Sequence, residues 1–434
     1  MKITDQVKIE KGRLKQIRSL IKHIKNFPKI IEENLKENIT YLLETILVGA
    51  INLGSSDIHL EPEESQVKMR LRIDGILHDI FFFQPKIYQR LLSRIKLLSG
   101  IKLNITDRAQ DGRFTVLLGE EEIEIRTSTL PSEYGETVVM RILNPKNLIE
   151  IEELGIRKDM LGIFKKEIQK PNGMIIVTGP TGSGKTTTLY AILKRIQRPE
   201  IKIITIEDPI EYHLTGISQT QVNPKKGYDF ATGLRAIVRQ DPDVILVGEI
   251  RDFETAKIAL QAALTGHLVL TTLHTNDAAG TVARLQALGE KPVNIAPAIN
   301  LAIAQRLVRS VCKKCVKFKK ISPEELKKLK EGLKSLPKEV KAKIKIPPLN
   351  RNLKIADPQG CKDCNFTGYK GRIGIFEFFL VDDEMENFIL KSPSISALRK
   401  KAREKGMVTM KEDGLLKVVF GQTTLEEVER VTGK

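Results

Sequence analysis

Two different patterns of apolar residues distinguish the two halves of this chain. In the first half, residues 67–74 alternate strictly between apolar and charged side chains, which is typical of a strand with one buried face. Asp74-Gly75 then predicts a hairpin turn. The same reasoning predicts a mixed α/β domain over 40–145, with helices at 41–53 (N-capped by Thr40) and 86–100 and further strands at 112–118, 122–127 and 138–143.

After a predicted hinge at 145–153, the pattern changes to short, nearly continuous apolar runs rich in β-branched residues. Helix-like segments separate these runs, which is typical of buried parallel strands in an α/β sheet. The runs lie at 174–177, 201–206, 244–247 and 268–272, and the helical segments at 186–197, 230–239 and 252–265. The predicted fold class of the second half is therefore α/β.

The segment after the first of these runs matches the phosphate-binding pattern G-x-x-x-x-G-K-[ST] in full. Backbone N–H groups of such a loop converge on phosphate oxygens, while Lys185 is expected to reach the β- and γ-phosphates and Thr186 to bind Mg²⁺. The motif alone predicts nucleotide binding, which kinases share. The predicted nucleotide-binding residues are Gly179, Pro180, Thr181, Gly182, Ser183, Gly184, Lys185, Thr186 and the adjacent Thr187.

Acidic residues follow two of the other apolar runs. Glu249 ends the run at 244–247, with Gly248 where an aspartate is usual, and Glu207, Asp208 and Glu211 end the run at 201–206. The carboxyl ends of parallel strands are where α/β sheets bind ligands, so these acids are candidates for Mg²⁺ binding and water activation. The alternative is that they are ordinary turn residues at strand ends.

Two histidines, His267 and His274, flank the run at 268–272. A histidine at such a place is either a core or turn residue, or here a γ-phosphate sensor or a relay between subunits.

All four cysteines fall in two C-x-x-C pairs, Cys312/Cys315 and Cys361/Cys364, separated by 45 residues. Two such turns can present four thiolates tetrahedrally, so a structural Zn²⁺ site is predicted, with a redox dithiol as the alternative.

Taken together, these motifs resemble the secretion ATPases that drive type II secretion and type IV pilus assembly. The segments at 179–186, 204–212, 234–252 and 265–276 resemble the Walker A, Asp box, Walker B and His box of that family. Further similarity lies at 55–62, 69–77, 111–114, 371–377 and 412–432.

The resemblance implies a homohexameric ring with ATP sites between domains and subunits. It implies that Arg126 and Arg141 act as arginine fingers, and that Arg235 and Arg239 form the family's second arginine pair, the alternative for each being a surface salt bridge. It leaves two carboxylate roles that could be exchanged. Glu249 is assigned to the Mg²⁺ side, and Glu207 to the attacking water.

The resemblance also implies a domain organisation. A basic arm at 1–39 precedes a PAS-like domain at 40–145 and a RecA-like ATPase domain at 146–434. The last includes a tetracysteine module at 308–368 and a helical region at 380–434. Pilus-retraction and type IV secretion ATPases generally lack the four cysteines.

The charge of the 434-residue chain is unevenly distributed. The formal net charge is +17, of which +5 lies in residues 1–39 and +9 in residues 313–345, leaving +3 for all the others. With 5% aromatic residues and no tryptophan, a nucleic-acid-binding body is disfavoured. The two basic segments are predicted to face anionic lipid or an acidic partner, or else to be solvated helix faces. The leucine stripe from Leu326 to Val340 is predicted to pack on its own domain, the alternative being that it docks on a membrane protein or anionic lipid.

The predicted function is an ATP-hydrolysing hexameric motor that powers (pseudo)pilus assembly for type II secretion or type IV pilus extension. It would use ATP, Mg²⁺ and structural Zn²⁺, bind inner-membrane platform proteins, and be cytoplasmic and peripheral to the inner membrane. The alternatives are a nucleic-acid translocase or a nucleotide-dependent scaffold of related ring architecture.

Overall fold

A computed structural model describes residues 6–433 of the chain, apart from the side chain of Asn147. The first five residues of the predicted basic arm lie outside the described residues. The chain divides into two compact units, which are described in turn. The first contains the residues up to 147 together with Cys312–Val316 and Pro358–Gly371, and the second contains the remainder.

A seven-stranded sheet forms the centre of the first unit. Its strand order is β1-β5-β6-β7-β2-β3-β4, in which β1 runs parallel to β5 and the other described pairs are antiparallel. The elements are β1 (Gln6–Ile9), α1 (Lys11–Leu20), α2 (Phe27–Glu33), α3 (Ile39–Asn52), β2 (Ser55–Pro62), β3 (Val67–Ile73), β4 (Ile76–Phe83), α4 (Pro85–Leu98), β5 (Gln110–Leu118), β6 (Glu121–Ser132) and β7 (Gly135–Leu143).

The strict alternation at 67–73 forms β3, whose apolar residues are all buried. Asp74 and Gly75 have φ angles of 50° and 86°, the left-handed conformation that a two-residue hairpin turn requires, so the predicted turn is confirmed. Helix α3 begins at Ile39, two residues earlier than predicted. Its N-cap is Asn38, whose side chain accepts a hydrogen bond from the Thr40 N–H at 2.9 Å, and Thr40 is therefore not the cap.

The segment before α3 packs on the same core as the sheet. Strand β1 pairs with β5, and Val7, Ile9, Ile21 and Phe27 are buried. The Phe27 ring lies so close to Gly49 of α3 that a Cβ there would come within 2.3 Å of it. The segment has a net positive charge, and its apolar residues nevertheless fold its described part onto the core.

The second unit is built on a sheet of order β10-β9-β11-β12-β8-β13-β16, in which the pairs from β10 to β13 are parallel. Its elements are α5 (Lys158–Glu167), β8 (Gly173–Thr178), α6 (Lys185–Ile196), β9 (Ile203–Glu207), β10 (Ser218–Gln221), α7 (Phe230–Val238), β11 (Val244–Val247), α8 (Phe253–Leu264), β12 (Leu268–Leu273), α9 (Gly280–Ala287), α10 (Pro292–Ile295), β13 (Ile299–Val311), β14 (Val316–Lys320), α11 (Pro323–Leu333), α12 (Lys338–Lys343), β15 (Lys354–Pro358), β16 (Tyr369–Leu380), α13 (Asp383–Ile389), α14 (Ile395–Glu404), α15 (Met410–Val419) and α16 (Leu425–Thr432).

Both faces of this sheet are buried, which explains why its strands are continuously apolar. In β8, Ile175 and Val177 pack with α5 and α6, whereas Met174 and Ile176 pack with residues of α7 and α8. The predicted parallel α/β sheet is confirmed.

The lysine-rich stretch forms α11 and α12 between the paired strands β14 and β15. Ser322 caps α11 in a capping box with Glu325, and the helix ends before Pro337. The leucine stripe is buried, and a Cβ added at Gly332 would come within 2.2 Å of Leu415 on α15. This apolar face therefore packs on its own unit and is not free to enter a membrane.

None of the helices within residues 6–433 is long and apolar enough to cross a membrane.

Candidate nucleotide and metal sites

The phosphate-binding loop joins the end of β8 to the start of α6. Gly179, Gly182 and Gly184 have φ angles of 147°, 77° and 87°, which L side chains rarely adopt. A Cβ at Gly179 would also come within 2.4 Å of the Gln305 carbonyl oxygen. Lys185 Nζ donates a hydrogen bond to the Gly179 carbonyl oxygen at 2.8 Å. The loop thus curls back on itself, and the Lys185 ammonium group lies against its backbone.

Gln305 of β13 packs against this loop. Its side chain is buried and its Oε1 accepts a hydrogen bond from Thr188 Oγ1 at 2.6 Å. Ser183 is also buried, and its Oγ has no hydrogen-bond partner among the described residues, which leaves a polar atom available to a phosphate. Sequence reasoning missed Gln305, because only the pairing of β13 with β8 brings it under the loop.

Four titratable side chains lie near one another beside the loop. Burial lowers the pKa of Lys185, and the nearby carboxylates of Glu249 and Glu211 oppose this shift. Glu249 lies just after β11, 3.5 Å from His274 Nε2 and 2.5 Å from an Arg251 nitrogen. The structure therefore brings Lys185, Glu249, Glu211 and His274 to the carboxyl edge of the parallel sheet.

The loop containing His274 is fastened to the phosphate-binding strand. The Thr275 N–H donates a hydrogen bond to Thr178 Oγ1 at 2.8 Å, and Thr178 Oγ1 lies 2.9 Å from the Leu273 carbonyl oxygen. His267 lies at the opposite end of β12, about 20 Å away along a six-residue strand. Its Nδ1 is 3.0 Å from the Ala262 carbonyl oxygen, so it does not join this group.

Glu207 is buried at the end of β9, where its carboxylate is enclosed by donors. It accepts hydrogen bonds from the Tyr190 hydroxyl, from Thr205 Oγ1 at 2.6 Å and from Gln219 Nε2 at 3.2 Å. Burial and the neighbouring Glu207 carboxylate raise the pKa of Tyr190 above its ordinary value. All hydrogen bonds described for the Glu207 carboxylate thus come from residues of its own unit.

Asp208, the next residue, is exposed. The pKa of Arg251 is raised, mainly by its hydrogen bond to Glu249 and to a smaller extent by the charge of Asp208.

In the first unit, Arg126 and Arg141 lie directly opposite each other on β6 and β7. Arg113 on β5 is opposite Arg126, and Asp57 on β2 is opposite both Arg141 and Arg72, so the five residues form a row across the sheet. Residues directly opposite each other on antiparallel strands lie on the same face, where like charges are destabilising.

Two carboxylates offset part of this charge. Asp57 accepts from Arg141 Nε at 3.1 Å, and Glu124 accepts from Arg126 Nε at 3.0 Å. Arg141 remains about half exposed. The row, named here the arginine row (Arg72, Arg113, Arg126 and Arg141), suits an anionic ligand.

The second predicted arginine pair lies on the exposed face of α7. Arg235 contacts Glu254 of α8, and Arg239 is exposed at the C-cap.

The four cysteines lie in one cluster, with all sulfur atoms within 4.8 Å of one another. The Cys312–Cys361, Cys315–Cys364 and Cys361–Cys364 sulfur distances are 3.9, 3.7 and 3.8 Å. A tetrahedral site with Zn–S distances of about 2.3 Å places its sulfurs about 3.8 Å apart. All four cysteines are free, so the donor set fits zinc and contains no disulfide.

A parallel sheet flanked by helices, with a phosphate-binding loop and a carboxylate at its carboxyl edge, defines a P-loop nucleotide-binding protein. The family described as "Type II/IV secretion system protein" matches residues 32–430. The chain belongs to this family, which confirms the resemblance found in the sequence.

The relatives include both secretion and pilus proteins. The chain is 43% identical to "Type II secretion system protein E" of Pectobacterium carotovorum over 95% of this chain and 80% of that protein. It is 47% identical to "Type IV pilus assembly ATPase PilB" of Thermus thermophilus over 89% of this chain, and it spans only 42% of that relative's length. The prediction that the chain belongs to a family of secretion and pilus ATPases is confirmed.

Solved structures agree on the fold. The pilus retraction motor PilT with bound ADP is 27% identical, with a TM-score of 0.59 over 90% of this chain and 96% of PilT. The Legionella pneumophila ATPase DotB, at 21% identity, has a TM-score of 0.63 over 90% of this chain and 94% of DotB. The predicted fold class is confirmed.

Proposed function

We propose that this chain hydrolyses ATP as the motor of a secretion or pilus machine. The observation that supports it most is the convergence of Lys185, Glu249, Glu211 and His274 beside the phosphate-binding loop. This places one cation, two carboxylates and an imidazole where the loop's N–H groups would hold the β- and γ-phosphates.

In the proposed reaction, Glu249 orients a water molecule and accepts its proton as the water oxygen bonds to the γ-phosphorus. The bond from that phosphorus to the bridging oxygen breaks, and ADP leaves with the electron pair. Mg²⁺, which would neutralise phosphate charge, would be held through Thr186. His274, 3.5 Å from Glu249, positions the carboxylate.

This assignment gives Glu249 the role in activating water that the sequence analysis assigned to Glu207. The Glu207 carboxylate is occupied by Tyr190, Thr205 and Gln219, so it stabilises the strand end and the base is Glu249.

Glu249→Gln tests the assignment because it preserves shape but cannot accept a proton. We expect ATP turnover to fall by about 10²–10⁴-fold, the usual contribution of a general base, while binding of a fluorescent ATP analogue is retained. Glu404→Gln, on an exposed position of the same unit, is the control. Unchanged turnover in Glu249→Gln would exclude this mechanism.

The family's ring architecture supports a homohexamer, in which the arginine row and the Arg235/Arg239 pair complete ATP sites together with the phosphate-binding loop. Light scattering of the chain with a non-hydrolysable ATP analogue should show six-subunit particles. A monomer under all nucleotide conditions would contradict this architecture.

The proposed place of work is the cytoplasmic face of the inner membrane, against a platform protein of the machine. The named relatives support this, since they belong to type II secretion and type IV pilus systems. Co-purification of a pilus or secretion platform protein from the native cells distinguishes the two. ATP turnover that rises on adding DNA or RNA would instead favour a nucleic-acid translocase.

The four cysteines are proposed to hold one structural zinc ion, which would cross-link the two C-x-x-C turns. Metal analysis of the purified chain, before and after replacing Cys361 and Cys364 by serine, checks this site. Metal content that is equal in both proteins would contradict it.

A further inference from the structure

The second C-x-x-C turn contacts the amino-terminal segment of the first unit. Beyond Cys364, the chain continues through Asn365 and Phe366, with φ angles of 51° and 63°. Asn365 Oδ1 accepts a hydrogen bond from the Ile24 N–H at 3.0 Å, across 341 residues of sequence. The residues just after the metal turn therefore reach back to the start of the chain.

Phe366 contacts the residues on either side of Ile24. The His23 ring meets the Phe366 ring edge to face, with centroids 5.2 Å apart and planes at 80°. Lys25 Nζ lies 4.3 Å from the Phe366 ring centroid, which is a cation–π geometry. Three consecutive residues thus use an imidazole, a backbone amide and an ammonium group against two residues of the turn.

The segment that makes these contacts is itself anchored in the core. Residues Ile24–Asn26 form a single 3₁₀ turn between α1 and α2. Ile21 and Phe27, on either side, are fully buried. A separate contact joins residues after the metal turn to the β3–β4 hairpin of the first unit, since the Gly371 N–H donates to Asp74 Oδ2 at 3.0 Å.

The turn at Asn365 and Phe366 directly follows the second cysteine pair. A left-handed φ is tolerated by asparagine but is unusual for phenylalanine, so the surroundings must impose it. Cys361 and Cys364 directly precede these two residues: the Cys361 N–H donates to the Cys364 sulfur at 3.1 Å, and the Phe366 N–H donates to the Cys361 carbonyl oxygen at 2.8 Å. Four thiolates on one metal ion would hold this turn closed and keep Asn365 and Phe366 directed at Ile24.

We propose that metal binding by the four cysteines forms a docking surface, Asn365 and Phe366, for the amino-terminal residues His23, Ile24 and Lys25. The metal site then has a role beyond closing its own loop. It fastens the amino-terminal segment, with β1 and α1, to the tetracysteine turns. The inference rests on the zinc site proposed above and does not depend on ATP hydrolysis.

Hydrogen exchange at the Ile24 amide reports on docking directly, because that N–H is the donor to Asn365. The full chain is compared with zinc bound and after removal of the metal with a strong chelator. We expect exchange at Ile24 to accelerate at least about tenfold on metal loss, while amides of α7 and α8 in the second unit keep their protection. Unchanged exchange at Ile24 after complete metal loss would overturn the proposal.

Two variants test docking without removing a metal ligand. Asn365→Gly retains the left-handed conformation but lacks the acceptor, and Phe366→Ala lacks the ring. In both, zinc content should be unchanged while exchange at Ile24 accelerates at least about tenfold. Phe318→Ala, an exposed phenylalanine on β14, is the matched control and should change neither. Ile24 exchange equal to wild type in both variants would overturn the proposal.

Linkage provides a reciprocal measurement. If zinc strengthens docking, then docking strengthens zinc binding by the same factor. His23→Ala combined with Lys25→Ala should therefore raise the dissociation constant for zinc, measured by competition with a chromogenic chelator. Lys22→Ala, an exposed neighbour, should not. A chain that binds no zinc at all contradicts the metal site itself. A dissociation constant for zinc that is unchanged in the His23/Lys25 double variant contradicts only the docking.

Discussion

The phosphate-binding loop and the arginine row both concentrate positive charge, but they do so by different means. In the loop, glycine conformations direct backbone N–H groups to one point, and a single side chain, Lys185, adds a full charge. In the row, four guanidinium groups are aligned by the register of five strands and are offset by Asp57 and Glu124. Charge supplied by N–H dipoles needs one contiguous segment, whereas charge supplied by side chains needs correct long-range pairing.

The two means differ in cost. The loop's dipoles are part of a strand–loop–helix connection and bring no repulsion between side chains. The row opposes like charges directly, which destabilises the sheet. The row is therefore better explained by an anionic ligand than by the stability of the first unit.

The largest expected effect is on the arginine row. Arg141→Ala should lower ATP turnover by about 10³-fold, the lower end of what an arginine finger contributes, with nucleotide affinity nearly unchanged. Arg90→Ala, an exposed arginine on α4 of the same unit, should leave turnover unaltered. If Arg141→Ala and Arg90→Ala hydrolyse ATP equally fast, the row has no role in catalysis.

Next in size is a change to the backbone of the loop. Gly179→Ala should weaken ATP binding by more than about tenfold, since its Cβ would come within 2.4 Å of the Gln305 carbonyl oxygen and φ is 147°. Gly182→Ala, where no atom lies within 4 Å, carries only the strain of its φ of 77° and should cost less. Fluorescence titration with an ATP analogue compares them, and equal losses would contradict the steric argument.

A smaller effect distinguishes the two glutamates. Glu207→Gln should lower the free energy of unfolding by about 1–3 kcal/mol, because the amide cannot accept from Tyr190, Thr205 and Gln219 together. Turnover by the folded protein should stay within about threefold of wild type, in contrast to Glu249→Gln. Denaturant titration and steady-state kinetics give both values, and a loss of turnover as deep as that of Glu249→Gln would restore Glu207 as the base.

The smallest expected effect is a gain. Arg126→Met should raise the unfolding free energy of the first unit by about 0.5 kcal/mol, since it removes a guanidinium placed between Arg113 and Arg141. Calorimetry of the metal-loaded chain should show this gain as a higher melting temperature. A lower melting temperature would mean that the ion pair with Glu124 outweighs the repulsion.

Sequence reasoning predicted best what depends on neighbouring residues. The runs that became β8, β9, β11 and β12, the phosphate-binding loop and the Ser322 cap all follow from local pattern. It could not place Gln305 under the loop or Arg113 in the row, because both depend on strand pairing between distant segments. It also could not show that the Glu207 carboxylate is enclosed, since that depends on where Tyr190 of α6 lies.

In the amino-terminal segment, net charge drew attention away from the apolar residues. Its ten lysines and arginines predict a basic arm that faces anionic lipid or an acidic partner, or is solvated. Its apolar residues, among them Ile21 and Phe27, fold its described part onto the core. Net charge describes the surface of a segment and says little about whether its other face is buried.

The two C-x-x-C turns lie at either end of residues 316–360, so a bound metal closes a loop of 45 residues. The entropy cost of closing a flexible loop grows only with the logarithm of its length, about 0.6 kcal/mol for each doubling. Exposed positions of the lysine-rich stretch outside the buried leucine stripe can therefore accept added residues or a reporter domain at small cost. This makes the stretch the natural attachment point for a fluorescent label that follows the motor at work.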